Sequence, residues 1–173
     1  MKRKLLSGMA LGGALALLIL FASPHYRQSE PAATGRTAPE FSFQLDGKPA
    51  RLADLGGKVV VLNFWATWCP PCVEEMSSLD RLHRKLAPLG AMVLGVSVDA
   101  DAAAYERFLR EHQITFPNHR DPSREIAAQY GTAMYPETYI LDQNGRIARK
   151  IIGPQDWDKP EWLDYLKGLV EHR

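Results

Sequence analysis

Hydrophobic and polar positions along this chain fall into blocks of different period. Leu5 to Ala22 is an uncharged run rich in Leu, Ala and Gly, with no polar face at any helical or strand period. Ser23 to Thr37 is polar and rich in Pro, Ser, Thr and Ala, the composition of a tether rather than of a packed core. Phe41, Phe43 and Leu45 then alternate with polar residues up to Asp46-Gly47, and Ala50 to Leu52 follows, which predicts a small hairpin. Lys58 to Trp65 and Met92 to Val98 are continuous apolar runs, as expected of strands buried on both faces. Between them, Val73, Met76, Leu79, Leu82, Leu86 and Leu89 recur every three or four residues and predict an amphipathic helix. Ala102 to His112 predicts a second helix, with Tyr105, Phe108 and Leu109 on one side, and Ser123 to Tyr130 a short third. Thr138 to Leu141 and Arg146 to Ile152 flank Asn144-Gly145, a strong hairpin signal. Trp162, Tyr165, Leu166 and Leu169 stripe a terminal helix. This order predicts an α/β domain, a central mixed sheet with helices on both faces and an N-terminal hairpin extension.

Charge sharpens the picture of the N-terminus. The formal net charge of the 173 residues is only +1, which gives no basic face for nucleic acid. Lys2, Arg3 and Lys4 hold three of the 21 basic residues, leaving 18 against 20 acidic ones in the rest of the chain. A basic tip followed by the 18 apolar residues from Leu5 to Ala22 fits a membrane span. Such spans need about 17–25 residues, whereas the apolar part of a cleavable export signal runs about 7–15. No A-x-A cleavage site follows, and no cysteine near residue 20 is there to take a lipid. The expectation is a signal anchor, a single transmembrane helix, over 1–22, a flexible linker over 23–36 and a globular domain over 37–173. Basic residues stay cytoplasmic, so the domain is expected on the periplasmic side of the inner membrane, where disulfides persist.

The chain has two cysteines, and they stand together as Cys69-Pro70-Pro71-Cys72, where a buried strand gives way to a helix. Two cysteines cannot build a disulfide framework or a four-thiolate zinc site. A purely structural disulfide closing so short a loop removes little chain entropy. Haem attachment needs a histidine after the second cysteine, and Val73 is there. A peroxide-reducing thiol usually has Thr or Ser three residues before it, and Ala66 is there. Redox exchange fits better. At the helix entrance, free N–H groups and the helix dipole favour a Cys69 thiolate as the attacking sulfur. Cys72, one turn inside, is placed to resolve a mixed disulfide. Pro71 biases Pro70 away from helical angles, so the helix is expected to open at Pro71.

The segment Asn63-Phe64-Trp65-Ala66-Thr67-Trp68-Cys69-Pro70-Pro71-Cys72 resembles the active-site segment of the thioredoxin superfamily. More narrowly, residues 37–173 resemble the membrane-anchored TlpA/ResA/CcmG group of extracytoplasmic thiol–disulfide oxidoreductases. The resemblance implies a thioredoxin-like fold and a disulfide reductase acting on disulfide-containing protein substrates, such as apocytochrome c during cytochrome c maturation. It also implies a transmembrane thiol electron donor of the CcdA/DsbD type, and no metal or organic cofactor beyond the cysteine pair itself.

Three further positions carry the resemblance. Asn63 stands where cytoplasmic thioredoxins place a buried Asp, and a neutral amide cannot titrate. Glu75 matches an acidic residue of the group on the same helix face as Cys72. A desolvated carboxylate there would have a raised pKa suited to proton exchange with a thiol. The alternative is an ordinary solvated glutamate, as Glu74 is expected to be. Pro136, in Met134-Tyr135-Pro136-Glu137-Thr138, matches the cis-proline of the superfamily, with the Tyr135 backbone as a substrate ledge. The alternative is a trans proline opening an edge strand. Trp68 is expected to cover the dithiol and meet partners, Trp65 to be core, and Trp157 and Trp162 to pack the C-terminal segment. His83 is expected on a solvated helix face and His119 in a loop. The competing functions are a disulfide oxidase or isomerase, a redox-switched binding module, and a copper metallochaperone using Cys69, Cys72 and a histidine. Copper-delivering relatives of this fold usually space their cysteines by three residues rather than two.

Overall fold

The computed structural model describes residues 34–45 and 47–171, so the expected anchor and the linker as far as residue 33 lie outside the described residues. The predicted N-terminal hairpin is present. Strand β1 (Ser42–Leu45) pairs antiparallel with β2 (Lys48–Arg51) as a separate two-stranded sheet.

The main sheet is built around the longest apolar runs. β3 (Val59–Trp65) and β4 (Ala91–Ser97) are buried at every position and run parallel at its centre. β5 (Asn118–Arg120) adds parallel to β4, while β6 (Glu137–Leu141) pairs antiparallel with β3 and β7 (Ile147–Ile152) antiparallel with β6. The order is β5-β4-β3-β6-β7, a mixed five-stranded sheet as expected. The helices are α1 (Pro70–Leu86), α2 (Ala102–Glu111), α3 (Glu125–Tyr130) and α4 (Pro160–Glu171).

The two-residue period of β3 distributes the helices over the sheet. Asn63 and Trp65 project to one face, where Asn63 reaches Glu75 of α1 and the Trp65 ring lies 6.1 and 5.1 Å from Tyr105 and Phe108 of α2. Phe64 projects to the other face and meets Tyr130 of α3 at 5.1 Å. The Tyr130 hydroxyl donates to the Pro39 carbonyl at 2.8 Å, drawing the segment before β1 onto that face. Thr37 bridges to Arg146, and Ala38 N–H donates to the Gly145 carbonyl, so the start of the domain is held against the β6–β7 turn.

One glycine is fixed by close approach. A Cβ at Gly95 would lie 2.0 Å from Asn118 Oδ1. Its absence lets the Asn118 amide lie over β4, accept from Trp65 Nε1 at 3.0 Å and donate to the Phe116 carbonyl at 2.9 Å.

The structure corrects three expectations. His119 lies in strand β5, paired with Val96, rather than in a loop. All three β5 residues are half-buried, so the strand owes its existence to the β4 edge and has no alternation to read. His83 is half-buried rather than solvated, and its Nδ1 accepts Val93 N–H at 3.2 Å, because this flank of α1 leans on the start of β4. Helix α3 begins at Glu125 rather than Ser123, since Arg124 takes left-handed angles (φ 60°, ψ 23°) that a helix cannot contain.

Candidate active site

The turn after β3 presents the cysteines. Thr67 donates through its N–H and its hydroxyl to the Asp99 carboxylate at 3.0 and 2.7 Å, and Ser97 adds a 2.6 Å bond to the same carboxylate. Asp99, buried just past β4, thereby fastens the segment that leads into Cys69. Sequence reasoning missed it, although an acidic residue ending the apolar run Val96-Ser97-Val98-Asp99 was the available signal.

Cys69 is the N-cap of α1, with extended angles (φ −102°, ψ 101°), and the helix opens at Pro70, one residue earlier than expected. First-turn positions need no N–H partner within the helix and proline has its φ already set, which outweighs the pre-proline bias. Val73 N–H is taken by the Cys69 carbonyl at 3.1 Å, and neither proline has an N–H. Among the described residues, Cys72 N–H is therefore the first-turn amide without a backbone acceptor. Cys69 and Cys72 form a disulfide, with Cα atoms 5.3 Å apart. Cys69 is 5% exposed and Cys72 fully buried, the asymmetry expected of an attacking and a resolving sulfur.

One turn beyond Cys72, Glu75 is buried, and neutral donors surround its carboxylate. Oε1 accepts from Asn63 Nδ2 at 2.9 Å, and Oε2 from Gln155 N–H at 2.9 Å and Trp157 Nε1 at 3.1 Å. Burial raises the Glu75 pKa above its ordinary 4.5, and the bonds from Gln155, Asn63 and Trp157 oppose that rise without cancelling it. Glu74, by contrast, is exposed. Asn63 thus keeps a place at the site without titrating, spanning Glu75 and the Thr138 hydroxyl at 2.9 Å each. Trp157 packs on Trp162 with ring centroids 4.8 Å apart, as expected, but its bond to Glu75 is a role that no local pattern announced. A cleft of about 360 Å³ is lined by Glu74, Glu75, Ser78, Arg81, Pro154, Gln155 and Asp156. The loop that closes the cleft is clasped to α1 by Asp158, which pairs with Arg81 at 2.6 Å and Lys85 at 3.2 Å.

The loop before β6 faces the cysteine turn. The Tyr135-Pro136 peptide bond is cis, Pro136 is buried, and the Pro136 carbonyl accepts Gly153 N–H at 2.9 Å. The Tyr135 ring meets Trp68 edge to face at 6.0 Å, which brings the ledge and the residue before Cys69 together. Trp68 itself is 56% exposed. Directly after Pro136, Glu137 is buried but paired with a cation. Lys150 Nζ lies 2.6 Å away, the Thr132 hydroxyl donates at 3.2 Å, and the Tyr139 hydroxyl also donates. Of the histidines, burial holds both His83 and His119 below their ordinary value. Among the described residues no three His, Cys, Asp or Glu side chains gather in a way that would hold a metal ion.

Known proteins resemble this chain in sequence and fold. The AhpC/TSA family profile matches residues 34–150. The thiol–disulfide oxidoreductase ResA of Bacillus thuringiensis (strain Al Hakam) is 34% identical over 146 residues, covering 84% of this chain and 83% of that protein. Among solved structures, a thiol:disulfide interchange protein of the thioredoxin family from Chlorobium tepidum is 28% identical, with a TM-score of 0.66 over 80% of this chain and 99% of that one. A secreted thiol-disulfide isomerase from Corynebacterium glutamicum is 28% identical, with a TM-score of 0.69 over 78% and 86% of the two chains. The thioredoxin-like fold, the Cys69–Cys72 disulfide and the ResA likeness converge on one chemistry, and the chain belongs to the AhpC/TSA family as a thiol–disulfide oxidoreductase.

Proposed function

We propose that this oxidoreductase works as a disulfide reductase on protein substrates outside the cytoplasmic membrane, apocytochrome c being the substrate that the ResA/CcmG likeness suggests. The observation that carries this reading is the placement of three buried groups along one helix: Cys69 at the mouth, Cys72 beneath it, and Glu75 one turn further, hydrogen-bonded only by neutral donors among the described residues. In the reduced protein, the Cys69 thiolate attacks one sulfur of a substrate disulfide. That disulfide breaks, its second sulfur leaves as a thiol, and a mixed disulfide forms on Cys69. Cys72 gives its proton to Glu75 and attacks the Cys69 sulfur, which releases the reduced substrate and leaves the Cys69–Cys72 disulfide. Two electrons pass from protein to substrate. A dithiol carrier in the membrane, of the CcdA/DsbD type, returns them. An uncleaved anchor over 1–22 keeps the domain beside that carrier, on the periplasmic side. No step needs a metal or an organic cofactor.

Replacing Cys72 with Ser tests this directly, because it stops the reaction at the mixed disulfide. Protein partners are expected to accumulate on Cys69 in cells, with haem-attachment apoproteins among them. Capture of nothing would overturn the mechanism. The direction is checked by the redox state of wild-type Cys69 and Cys72 in cells lacking the membrane carrier. The pair is expected to shift to the disulfide, and a pair that is oxidised with or without the carrier would favour the oxidase or isomerase direction.

A further inference from the structure

Next to the disulfide, large apolar side chains stand in solvent. Trp68 is 56% and Met134 61% exposed, and each adjoins a working residue, Cys69 and Tyr135 respectively. Exposed Trp and Met mark contact surfaces more often than chance, and arginine shares that enrichment. Arg124 completes the group, its guanidinium carbon 6.0 Å from the Trp68 ring centroid. The Tyr135 main chain, at the edge of this lip, forms no hydrogen bond among the described residues, so an extended segment can pair with it.

Arg124 occupies an unfavourable place. Its backbone is left-handed (φ 60°, ψ 23°), where glycine or asparagine sits freely and arginine does not. Its N–H bonds to the Asp121 carbonyl at 3.1 Å, and the Asp121 carboxylate caps the following turn by accepting Glu125 and Ala127 N–H at 3.0 Å each. The Asp121 carboxylate is therefore committed to the backbone, and Glu125, adjacent in sequence, is exposed and forms no ion pair among the described residues. Glu137 is committed to Lys150. Arg124 forms no ion pair among the described residues, and its guanidinium lies by the exposed Trp68 indole, with Tyr135 also within its electrostatic reach. Strained angles kept for a cation that the fold does not pair point to a use outside the fold.

We propose that, where Trp68 and the Tyr135 ledge offer themselves to an extended, cysteine-bearing segment of a protein substrate as the family resemblance implies, Arg124 selects segments with an Asp or Glu beside the reacting cysteine. The proposal rests on the thiol–disulfide exchange reading above and names the substrate chemistry at that same site. Cys69, only 5% exposed between Trp68 and the cis-proline ledge, admits a chain lying flat more readily than a folded surface. A carboxylate on that chain pairs with the guanidinium, and the neighbouring apolar positions cover Trp68.

The test measures Cys69 alone, so that it is independent of the direction of electron flow in the cell. In the full chain carrying Cys72→Ser, Cys69 is reacted with three extended peptides whose single cysteine is joined by a disulfide to thionitrobenzoate. The peptides differ only in Glu, Gln or Lys beside that cysteine. Attack by Cys69 joins it to the peptide sulfur and expels the coloured thionitrobenzoate thiolate, whose release gives the rate. The Glu peptide is expected to react roughly two- to fivefold faster than the Gln peptide, the range of a partly exposed ion pair. The Lys peptide should be slowest, and the spread should narrow as salt rises. Arg124→Gly, which relieves the left-handed strain and so keeps the fold, should erase the preference. Arg124→Glu should invert it. Equal rates for the three peptides, or a preference that survives Arg124→Gly, overturn the assignment of Arg124 while leaving exchange through Cys69 intact. Release from none of the peptides overturns the exchange reading and the assignment with it.

Discussion

Glu75 and Glu137 are each 3% exposed, and the fold treats them in opposite ways. Glu137 lies 2.6 Å from the Lys150 ammonium and also accepts from Thr132 and Tyr139, so its charge is answered by another charge. Glu75 has donors of equal quality, but Asn63, Gln155 and Trp157 are all neutral. The carboxylate paired with a cation ties β6 to β7 just after Pro136. A buried carboxylate with only neutral donors keeps an incentive to take up a proton, and this one stands one turn from Cys72. The difference between the two settings is one ammonium group.

Removing the anion from the paired site should have the largest effect. Glu137→Ala leaves Lys150 largely buried without a counter-ion and is expected to lower stability by about 3 kcal/mol, toward the low end for a broken buried pair because Lys150 keeps some solvent contact. Denaturant unfolding measures it, and a loss under about 1 kcal/mol would mean that the pair is no stronger than a surface one. Next, Asn63→Asp gives Glu75 a second carboxyl at 2.9 Å. Two carboxyls cannot both ionise there, so the variant should lose about 2 kcal/mol at neutral pH and regain it in acid, where both are protonated. Equal stability at both pH values would show that the site tolerates charge better than its burial suggests.

Glu75→Gln sharpens the comparison further. Because the Glu75 pKa is raised in the folded chain, the native state binds this proton more tightly than the unfolded state, whose value is near 4.5. That contribution is fully present below pH 4.5 and is lost as pH rises through the raised value. The stability of wild type relative to Glu75→Gln should therefore fall with pH across that window, by at most about 1.4 kcal/mol per pH unit. A flat difference would show that the Glu75 carboxyl takes up no proton on folding. The smallest effect belongs to Asp158→Asn, which unfastens the loop over Glu75 from Arg81 and Lys85. These are exposed pairs, so thermal unfolding should register under about 1 kcal/mol. Hydrogen exchange at Gln155 should nevertheless quicken, and unchanged exchange would show that Trp157 alone holds the loop.

Patterns of apolar residues foretold nearly every element, because β3, β4 and α1 carry runs long enough to impose their own period. The strand that was missed, β5, is three residues long and exists by pairing with β4, which no window of sequence contains. The cysteines, Glu75 and Pro136 were legible through their spacing and the family resemblance. Asp99, Trp157 and Glu137 were not, since each acts on a residue far along the chain: Thr67, Glu75 and Lys150. His83 was misread because the hydrophilic letters around it, Arg81, Arg84 and Lys85, do not reveal that the ring lies against the start of β4.

The empty space at Gly95 ties distant positions into one heritable unit. Any side chain there would evict the Asn118 amide, and with it the acceptor of Trp65, four residues ahead of Cys69. Positions 95 and 118 should accordingly drift as a pair, with Ala or Ser at 95 tolerated only in lineages that carry something shorter than Asn at 118. A library randomised at both positions would recover that correlation among its folded members, and the reactive turn would inherit its posture from a choice made two strands away.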